Sequence, residues 1–139
     1  MISSIKTIAV VVTHNRCQLL KRCLFYLKQQ TEPCDEIIVV NNASTDGTEE
    51  MLKEMQVTTI NQPNLGSAGG WESGLRYALK NNFDAAWLMD DDGFPDLNAL
   101  ANLKKAFNLS VACVSSVVLR EDKPNKFVFP FPILYKAIQ

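Results

Sequence analysis

The chain has 139 residues, 47% of them hydrophobic, which suffices for one domain with a buried core and argues against wholesale disorder. Its 14 Lys and Arg residues nearly balance 15 Asp and Glu residues and are scattered, so no nucleic-acid-binding surface is predicted. The four cysteines lack CxxC spacing and the single histidine adds no metal-site pattern, which favours free thiols in a reducing compartment over a zinc site.

The first residues carry no signal-peptide pattern, because the charged start and the small-residue cleavage site are missing. The apolar run at residues 8–13 is far too short to span a bilayer, and no other segment comes near the required length. The sequence therefore predicts a soluble, cytoplasmic protein. It leaves open a peripheral association with the inner face of the membrane.

Apolar, β-branched runs alternate with segments in which leucines recur at helical spacing. The runs at residues 8–12, 36–40, 57–60, 85–89 and 111–119 predict strands, and the first, second and fourth are predicted to be buried. This alternation is typical of an α/β fold with a mostly parallel, doubly wound sheet, flanked by helices and joined by right-handed crossovers.

Helices are predicted between these strands. The first spans about residues 16–29, and the second begins near Asp46 with Glu49 as its capping-box partner. The third follows the loop at residues 61–70, and the fourth opens at Pro95.

Residues 123–139 differ from the α/β domain predicted for residues 1–122. They are strongly apolar, yet Pro130 and Pro132 argue against a central strand. Either the segment is an edge strand or extended arm of the same domain, or it begins an acceptor half that is missing from an apparently truncated chain. An exposed apolar arm of this kind would favour a homodimer.

Three adjacent carboxylates, Asp90, Asp91 and Asp92, follow the fourth predicted strand directly. In a parallel sheet the loops after the strands gather at one edge, where open α/β sheets bind ligands. Mutually repelling carboxylates favour a nearby cation, and oxygen ligands in this position suit Mg²⁺ or Mn²⁺. The alternative is a solvated acidic turn.

The loop before the third predicted helix contains Gly66, Gly69 and Gly70. Glycines let backbone N–H groups approach a phosphate closely, and a helix N-terminus favours an anion. The pattern is neither GxGxxG nor a P-loop, so dinucleotide and P-loop sites are poorly supported. The alternative is a flexible turn with a packing contact.

Polar residues after the first two strands are further candidates. His14 could lay its ring on a nucleobase, or it could be a hydrogen-bonded structural residue. Asn41 and Asn42 could hydrogen-bond a base edge or a ribose, or they could merely shape the turn.

Taken together, the motifs at residues 11–16, 41–48, 64–70 and 90–92 resemble the nucleotide-sugar half of an inverting family-2 glycosyltransferase with the Rossmann-like GT-A fold. Their order and spacing match, and the resemblance covers roughly residues 8–119. The strand that leads into the acidic triplet is most similar to the rhamnosyl- and galactofuranosyl-transferase branch.

The resemblance implies that Thr13, His14, Asn15 and Arg16 frame the base of the nucleotide. It places Asn41 where the family usually has an aspartate that grips the imide N–H of uracil or thymine. The asparagine carbonyl can still accept that hydrogen bond, but it adds no charge.

Further roles follow from the same resemblance. The glycine loop would border the ribose and the pyrophosphate. Asp90 and Asp92 match the ends of the DXD motif, with Asp90 towards the ribose and Asp92 on the metal, while Asp91 supports them within the donor site. Asp46 matches an aspartate that ends the second loop, most simply as a cap.

The implied chemistry is transfer of a sugar from a UDP- or dTDP-linked donor to a hydroxyl of a glycan or lipid-linked acceptor, in cell-surface polysaccharide synthesis. A carboxylate base and the acceptor site are expected downstream of the DXD motif, and neither Glu121 nor Asp122 matches the usual base. The catalytic residues are therefore unknown, and the chain is expected to be incomplete for catalysis. The alternative is a non-catalytic nucleotide-sugar-binding or assembly module; nucleotidyltransfer is disfavoured, because no glycine-rich basic motif follows the first strand.

Overall fold

The computed structural model describes residues 5–108 and 110–128. Strands and helices alternate over most of this part of the chain, as the sequence pattern predicts. In chain order they are β1 (Thr7–Thr13), α1 (Cys17–Lys28), β2 (Glu36–Asn42), α2 (Thr48–Glu54), β3 (Thr58–Gln62), α3 (Gly66–Lys80), β4 (Ala85–Asp90) and α4 (Ala99–Ala106).

The strands form one parallel sheet in the order β3-β2-β1-β4. All of β1 is buried, because its uninterrupted apolar residues are covered on both faces of the sheet. Thr13 lies opposite Asn41, and Val12 lies opposite Asp90. This register brings the carboxyl ends of β1, β2 and β4 to the same edge and confirms the predicted α/β sheet.

Helices cover both faces of the sheet. On one face Val11 packs with Leu24 of α1 and with residues of α2, and on the other face Val10 packs with Ala78 of α3. Successive strand residues point to opposite faces, so neighbouring valines of β1 belong to different cores. The doubly wound arrangement is thus built from the apolar run of β1 itself.

Two glycines set the distance between α3 and β1. A Cβ atom at Gly70 would lie 2.5 Å from Val12 Cγ1, and one at Gly74 would lie 2.2 Å from Val10 Cγ1. Both glycines are buried, so the helix backbone lies directly on the strand side chains. This close contact fixes where the N-terminal end of α3 meets the loops.

The prediction of a fifth strand at residues 111–119 is wrong. Outside the sheet, the described residues contain one isolated antiparallel bridge, between Leu119 and Phe127. An apolar run becomes a strand only where another strand pairs with it, and here none does within the described region. The prediction of a buried β4 is also wrong, because β4 is an edge strand of the described sheet and leaves Leu88 39% exposed.

Two helix starts differ from their predictions. α2 begins at Thr48 with Gly47 at its N-cap, in the left-handed conformation and without a side-chain cap, so the predicted capping box is not formed. α4 begins at Ala99 rather than at Pro95. In the predicted C-terminal arm, residues 129–139 lie outside the described residues, and the division at residue 122 stays a prediction.

Within residues 5–108 and 110–128, no helix has both the length and the apolarity needed to cross a bilayer.

Candidate functional site

A cleft of about 220 Å³ opens at the carboxyl edge of the sheet. Its wall is built from the end of β1 and the loop after it, the end of β2, the loop from β3 into α3, and the turn after β4. The parallel sheet therefore brings loops that are far apart in sequence into one cleft, as expected. The lining residues are Val12, Thr13, His14, Arg16, Asn42, Asn64, Gly66, Ser67, Asp90 and Asp91.

Asp91 joins the acidic turn to the first loop. Its side chain is buried, and Oδ2 accepts a hydrogen bond of 2.7 Å from the Thr13 hydroxyl. Its other oxygen accepts a hydrogen bond of 3.2 Å from Nη1 of Arg16. A buried carboxylate needs such partners, so Asp91 serves as the link between the two segments.

The outer end of the triplet is held by two arginines. Nη1 of Arg16 also contacts Asp92 Oδ2 at 3.1 Å. Arg22 of α1 donates from Nη2 to the backbone carbonyl of Asp92 at 3.3 Å, and its guanidinium lies 4.2 Å from the centre of the Phe94 ring. Sequence patterns gave no role to Arg22, because its contact with the acidic turn spans 70 residues.

Burial raises the pKa of the Asp90 carboxyl, the charges of Asp92 and Asp91 raise it further, and Arg16 lowers it. The same acidic turn acts on Cys23, where burial first and then the neighbouring carboxylates raise the thiol pKa to about 12. Asp91 and Asp92 therefore place negative charge beside Asp90 and Cys23, and the arginines offset part of it.

Residues 5–108 and 110–128 contain no group of three or more His, Cys, Asp or Glu side chains arranged to hold a metal ion. The oxygen donors of Asp90 and Asp92 nevertheless fit Mg²⁺ or Mn²⁺, which commonly bind through one or two carboxylates and take their remaining ligands from water and substrate phosphates. The donor set is thus compatible with a metal that is completed by a ligand, and Asp90 and Asp92 stay the predicted metal residues.

His14 is exposed at the rim of the cleft. Its Nδ1 lies 2.7 Å from the backbone carbonyl of Asn42, which can only accept, so Nδ1 carries the proton. Nε2 then accepts the 3.4 Å contact from the side-chain amide of Asn15. The ring is held by both bonds, and its stacking on a nucleobase stays a prediction.

Asn41 is buried, and both ends of its amide are bonded within the protein. Its Nδ2 donates to Asn61 Oδ1 at 2.9 Å, and its Oδ1 accepts from the Ser44 backbone N–H at 3.1 Å. This geometry favours the alternative in which Asn41 shapes the turn. Its contact with a base stays a prediction.

Asn42 connects β2 to the start of α3. Its Nδ2 donates to the Gly66 carbonyl at 3.0 Å, and its Oδ1 accepts from Gln62 Nε2 at 2.8 Å. Ser73 extends this network by donating to Gln62 at 2.6 Å. The buried amide network therefore holds one wall of the cleft.

The glycine segment is not the loop that the sequence predicted. α3 already begins at Gly66, and the Gly66 N–H is bonded to the side chain of Asn64 at 3.0 Å. Gly69 and Gly70 lie in the first turns of the helix, and Gly70 is buried against Val12. Gly66 lines the cleft, whereas Gly70 serves helix–sheet packing because no side chain fits there.

Asp46 holds the starts of two helices. Its Oδ2 accepts a bond of 2.9 Å from the Cys17 backbone N–H at the start of α1, and its Oδ1 accepts from the Thr48 hydroxyl at 2.5 Å. The Thr48 hydroxyl, and then the Cys17 N–H, lower the pKa of Asp46. Asp46 therefore caps the first N–H group of α1, although the capping box predicted for α2 is not formed.

The first and second loops are also bonded directly. Asn15 accepts a bond of 2.7 Å from the Thr45 N–H and donates its own N–H to the Ser44 hydroxyl at 2.9 Å. Asn15 and Ala43 both have a positive φ, of 52° and 56°. Non-glycine residues in this conformation carry strain, which here is held by the bonds between the loops.

Asn64 and Ser67 line the cleft although neither was predicted to be a site residue. The available signal was the motif at residues 64–70, which contains both. A site residue of this kind becomes visible only when the loop is placed against the ends of β1 and β4.

The comparisons with known proteins agree with this arrangement. The family model described as Glycosyl transferase family 2 matches residues 8–134. The galactofuranosyltransferase GlfT1 of Mycolicibacterium smegmatis is 38% identical to this chain over 127 residues, which is 88% of this chain. The chain spans 42% of the length of that relative.

Two solved structures are similar in fold. The mannosyltransferase PcManGT from Pyrobaculum calidifontis, in complex with GDP-Man and Mn²⁺, has a TM-score of 0.68 and 26% identity, over 80% of this chain and 36% of its own. TarS 1–349 from S. aureus, in complex with UDP, has a TM-score of 0.58 at 20% identity, over 70% of this chain and 30% of its own, and supports the fold alone. Because the family model covers most of the sequence and the sheet matches these enzymes, the chain belongs to glycosyl transferase family 2.

Proposed function

We propose that this chain is the donor-binding half of an inverting, metal-dependent glycosyltransferase that uses a UDP- or dTDP-linked sugar. The observation that supports this most is the cleft at the carboxyl edge of the sheet, where Arg16, Gly66 and Asp90 line one space. Basic, glycine and acidic groups in one cleft suit a diphosphate, its sugar and a divalent cation together.

The chain's own residues divide the work of binding. The N-terminal end of α3, where Gly66 and Ser67 line the cleft, faces the diphosphate, whose negative charge a helix N-terminus favours. Asp90 faces the ribose and, with Asp92, holds Mg²⁺ or Mn²⁺. When bound, the metal offsets the charge that builds on the leaving diphosphate.

One structural neighbour supports a cation and a nucleotide as ligands. PcManGT was solved with GDP-Man and Mn²⁺. The mycobacterial relatives are named galactofuranosyltransferases, so UDP-galactofuranose is the donor to assay first. The resemblance of the strand before the acidic triplet to rhamnosyltransferases makes dTDP-rhamnose the second. We place the reaction in cell-surface polysaccharide synthesis at the cytoplasmic face of the membrane, with a glycan or lipid-linked hydroxyl as acceptor.

The base that deprotonates the acceptor is not among the residues of this site. Glu121 contacts Arg22 at 3.4 Å and Asp122 contacts Arg120 at 2.9 Å, so both carboxylates are engaged in exposed ion pairs. The chain spans 42% of the length of its GlfT1 relative, and we propose that turnover uses residues outside this cleft, whereas donor binding uses the cleft alone.

Calorimetric titration of UDP, dTDP and GDP, each with and without Mn²⁺, tests the proposal. We expect metal-dependent binding of UDP or dTDP, loss of the metal dependence in Asp92→Asn, and no change in the matched control Asp122→Asn. Absence of metal-dependent binding for all three nucleotides would refute the donor site. Binding without sugar transfer to any glycan or lipid-linked acceptor would favour the non-catalytic module.

A further inference from the structure

We propose that Arg16 is a built-in counter-cation of the acidic turn, and that it competes with a divalent metal ion for Asp92. This inference rests on the proposed function, because it concerns how the same site passes from its metal-free to its loaded state. It gives Arg16 a role different from framing the base.

The two contacts of Arg16 are made by a single nitrogen. Nη1 lies 3.2 Å from Asp91 Oδ1 and 3.1 Å from Asp92 Oδ2. One guanidinium nitrogen thus bridges the two carboxylates in place of a metal. A point contact of this kind is easier to exchange than a bidentate pair.

The two carboxylates differ in how firmly they are held. The Asp91 side chain is 5% exposed and also accepts the hydroxyl of Thr13 at 2.7 Å, whereas the Asp92 side chain is 54% exposed. Exposed ion pairs contribute little, so the contact to Asp92 exchanges readily, while the contact to Asp91 persists. Arg16 is therefore anchored at one end and replaceable at the other.

The remaining charges near the turn do not duplicate this role. Within the described residues, the ion pairs to Asp91 and Asp92 both come from Arg16. Arg22 reaches the backbone carbonyl of Asp92, and its Nη1 lies 3.4 Å from Glu121. Removing the charge of Arg16 therefore leaves the Asp91 and Asp92 carboxylates without their ion-pair partner.

Metal binding to Asp92 releases one side of the guanidinium inside the cleft that Gly66 and Ser67 also line. A released guanidinium in that cleft favours a diphosphate. Replacement of Arg16 should therefore have opposite effects on the two ligands: tighter binding of the metal alone, and weaker binding of the nucleotide. A residue that only supports the fold would weaken both.

The test compares the variants Arg16→Gln and Arg16→Lys with the control Arg76→Gln. Arg76 is a suitable control because it forms an exposed ion pair with Glu72 on α3, at 2.7 Å. Free Mn²⁺ is measured by electron paramagnetic resonance without nucleotide. From the size of exposed ion pairs, we expect Arg16→Gln to bind Mn²⁺ about two- to fivefold tighter than the parent protein. The Mn²⁺ affinity of Arg16→Lys should lie between those of Arg16→Gln and the parent protein, and the affinity of Arg76→Gln should equal that of the parent.

Calorimetry with UDP at saturating Mn²⁺ supplies the second readout. Arg16→Gln should weaken UDP binding by about fivefold or more, as expected for loss of a charged contact. Mn²⁺ affinity that is unchanged or lower in Arg16→Gln would overturn the inference while leaving the donor site intact. If neither the parent protein nor any variant binds UDP, dTDP or GDP in the presence of Mn²⁺, the proposed function fails instead.

A double-mutant cycle with Arg16→Gln and Asp92→Asn, measured by thermal unfolding, tests the ion pair between these two residues without nucleotide. The effects of the two substitutions on stability should be coupled in EDTA and additive in Mn²⁺, because the metal replaces Arg16 on Asp92. Additivity in EDTA, or coupling that Mn²⁺ leaves unchanged, would overturn the proposal.

Discussion

Replacement of Gly74 by alanine measures how closely α3 is bound to the sheet. The new Cβ would lie 2.2 Å from Val10 Cγ1 and 3.2 Å from its Cγ2. Carbon atoms pack at about 3.5–4.0 Å, so α3 or β1 must move. Val10 is fully buried in an interior strand, and it has little freedom to yield.

The size of the effect follows from two opposing terms. Overpacking costs about 1–3 kcal/mol, and an overlap this severe belongs at the upper end. Alanine has the higher helix propensity, which returns about 1 kcal/mol. The net loss is about 2 kcal/mol, and at about 4 °C per kcal/mol for a domain of this size the Tm should fall by about 8 °C.

Urea unfolding followed by circular dichroism gives the free energy directly, and a thermal scan gives the Tm. The matched background is Val10→Ala, which makes room for the new methyl group, so the added cost of Gly74→Ala should fall below about 0.5 kcal/mol there. If Gly74→Ala is as stable as the parent protein, or costs as much in the Val10→Ala background, the close helix–strand contact is refuted.

Three further predictions concern the loops and thiols. Asp46→Asn should lower stability by about 0.5–1 kcal/mol, since it removes a charged cap from an exposed site at the start of α1. The pKa of Asp46 is lowered in the folded protein, so its contribution to stability is present above its unfolded pKa near 4 and is lost as the pH falls through the folded value. Urea midpoints at pH 7 and pH 3 should therefore differ less in Asp46→Asn than in the parent protein. An equal pH dependence of the two proteins would contradict the reasoning. Ala43→Gly should raise the free energy of unfolding by about 0.5–1 kcal/mol, because φ at this position is 56°; a loss of stability in urea unfolding would count against a strained loop. At pH 8 a thiol reagent such as DTNB should modify the exposed Cys113 first and the buried Cys23, whose pKa is about 12, only on unfolding; modification of Cys23 in the folded protein, located by mass spectrometry, would show the core to be open.

Most of the secondary structure of the sheet region could be predicted from the sequence. The β-branched runs that became β1 and β2 and the leucine spacing of α1 are local signals, and they led to the parallel sheet and to loops that meet at its carboxyl edge. The apolar run at residues 111–119 carried the same kind of signal, but the strand predicted from it does not form. A strand depends on a partner that local composition does not specify, and within the described residues that run has only an isolated bridge.

The roles of individual side chains were decided by tertiary contacts. Asp90, Asp91 and Asp92 are equivalent in the sequence, yet Asp91 turns inward to Thr13 while Asp92 stays exposed beside Arg16. These contacts join residues more than seventy positions apart, so no spacing rule could assign them.

The glycines of α3 also show the difference between what the sequence predicts and what tertiary contacts decide. Their presence next to a helical pattern predicted a backbone that approaches something closely, and this is what glycine permits. Whether that neighbour is a phosphate or a valine depends on where the helix lies on the sheet, and for Gly70 it is Val12. The sequence by itself determined which segments could form and which edge of the sheet would carry the polar loops, because periodicity and propensity act within a few residues. Only the folded chain decided which of those polar groups face the cleft and which are bonded to one another, because burial and pairing depend on residues that folding brings together.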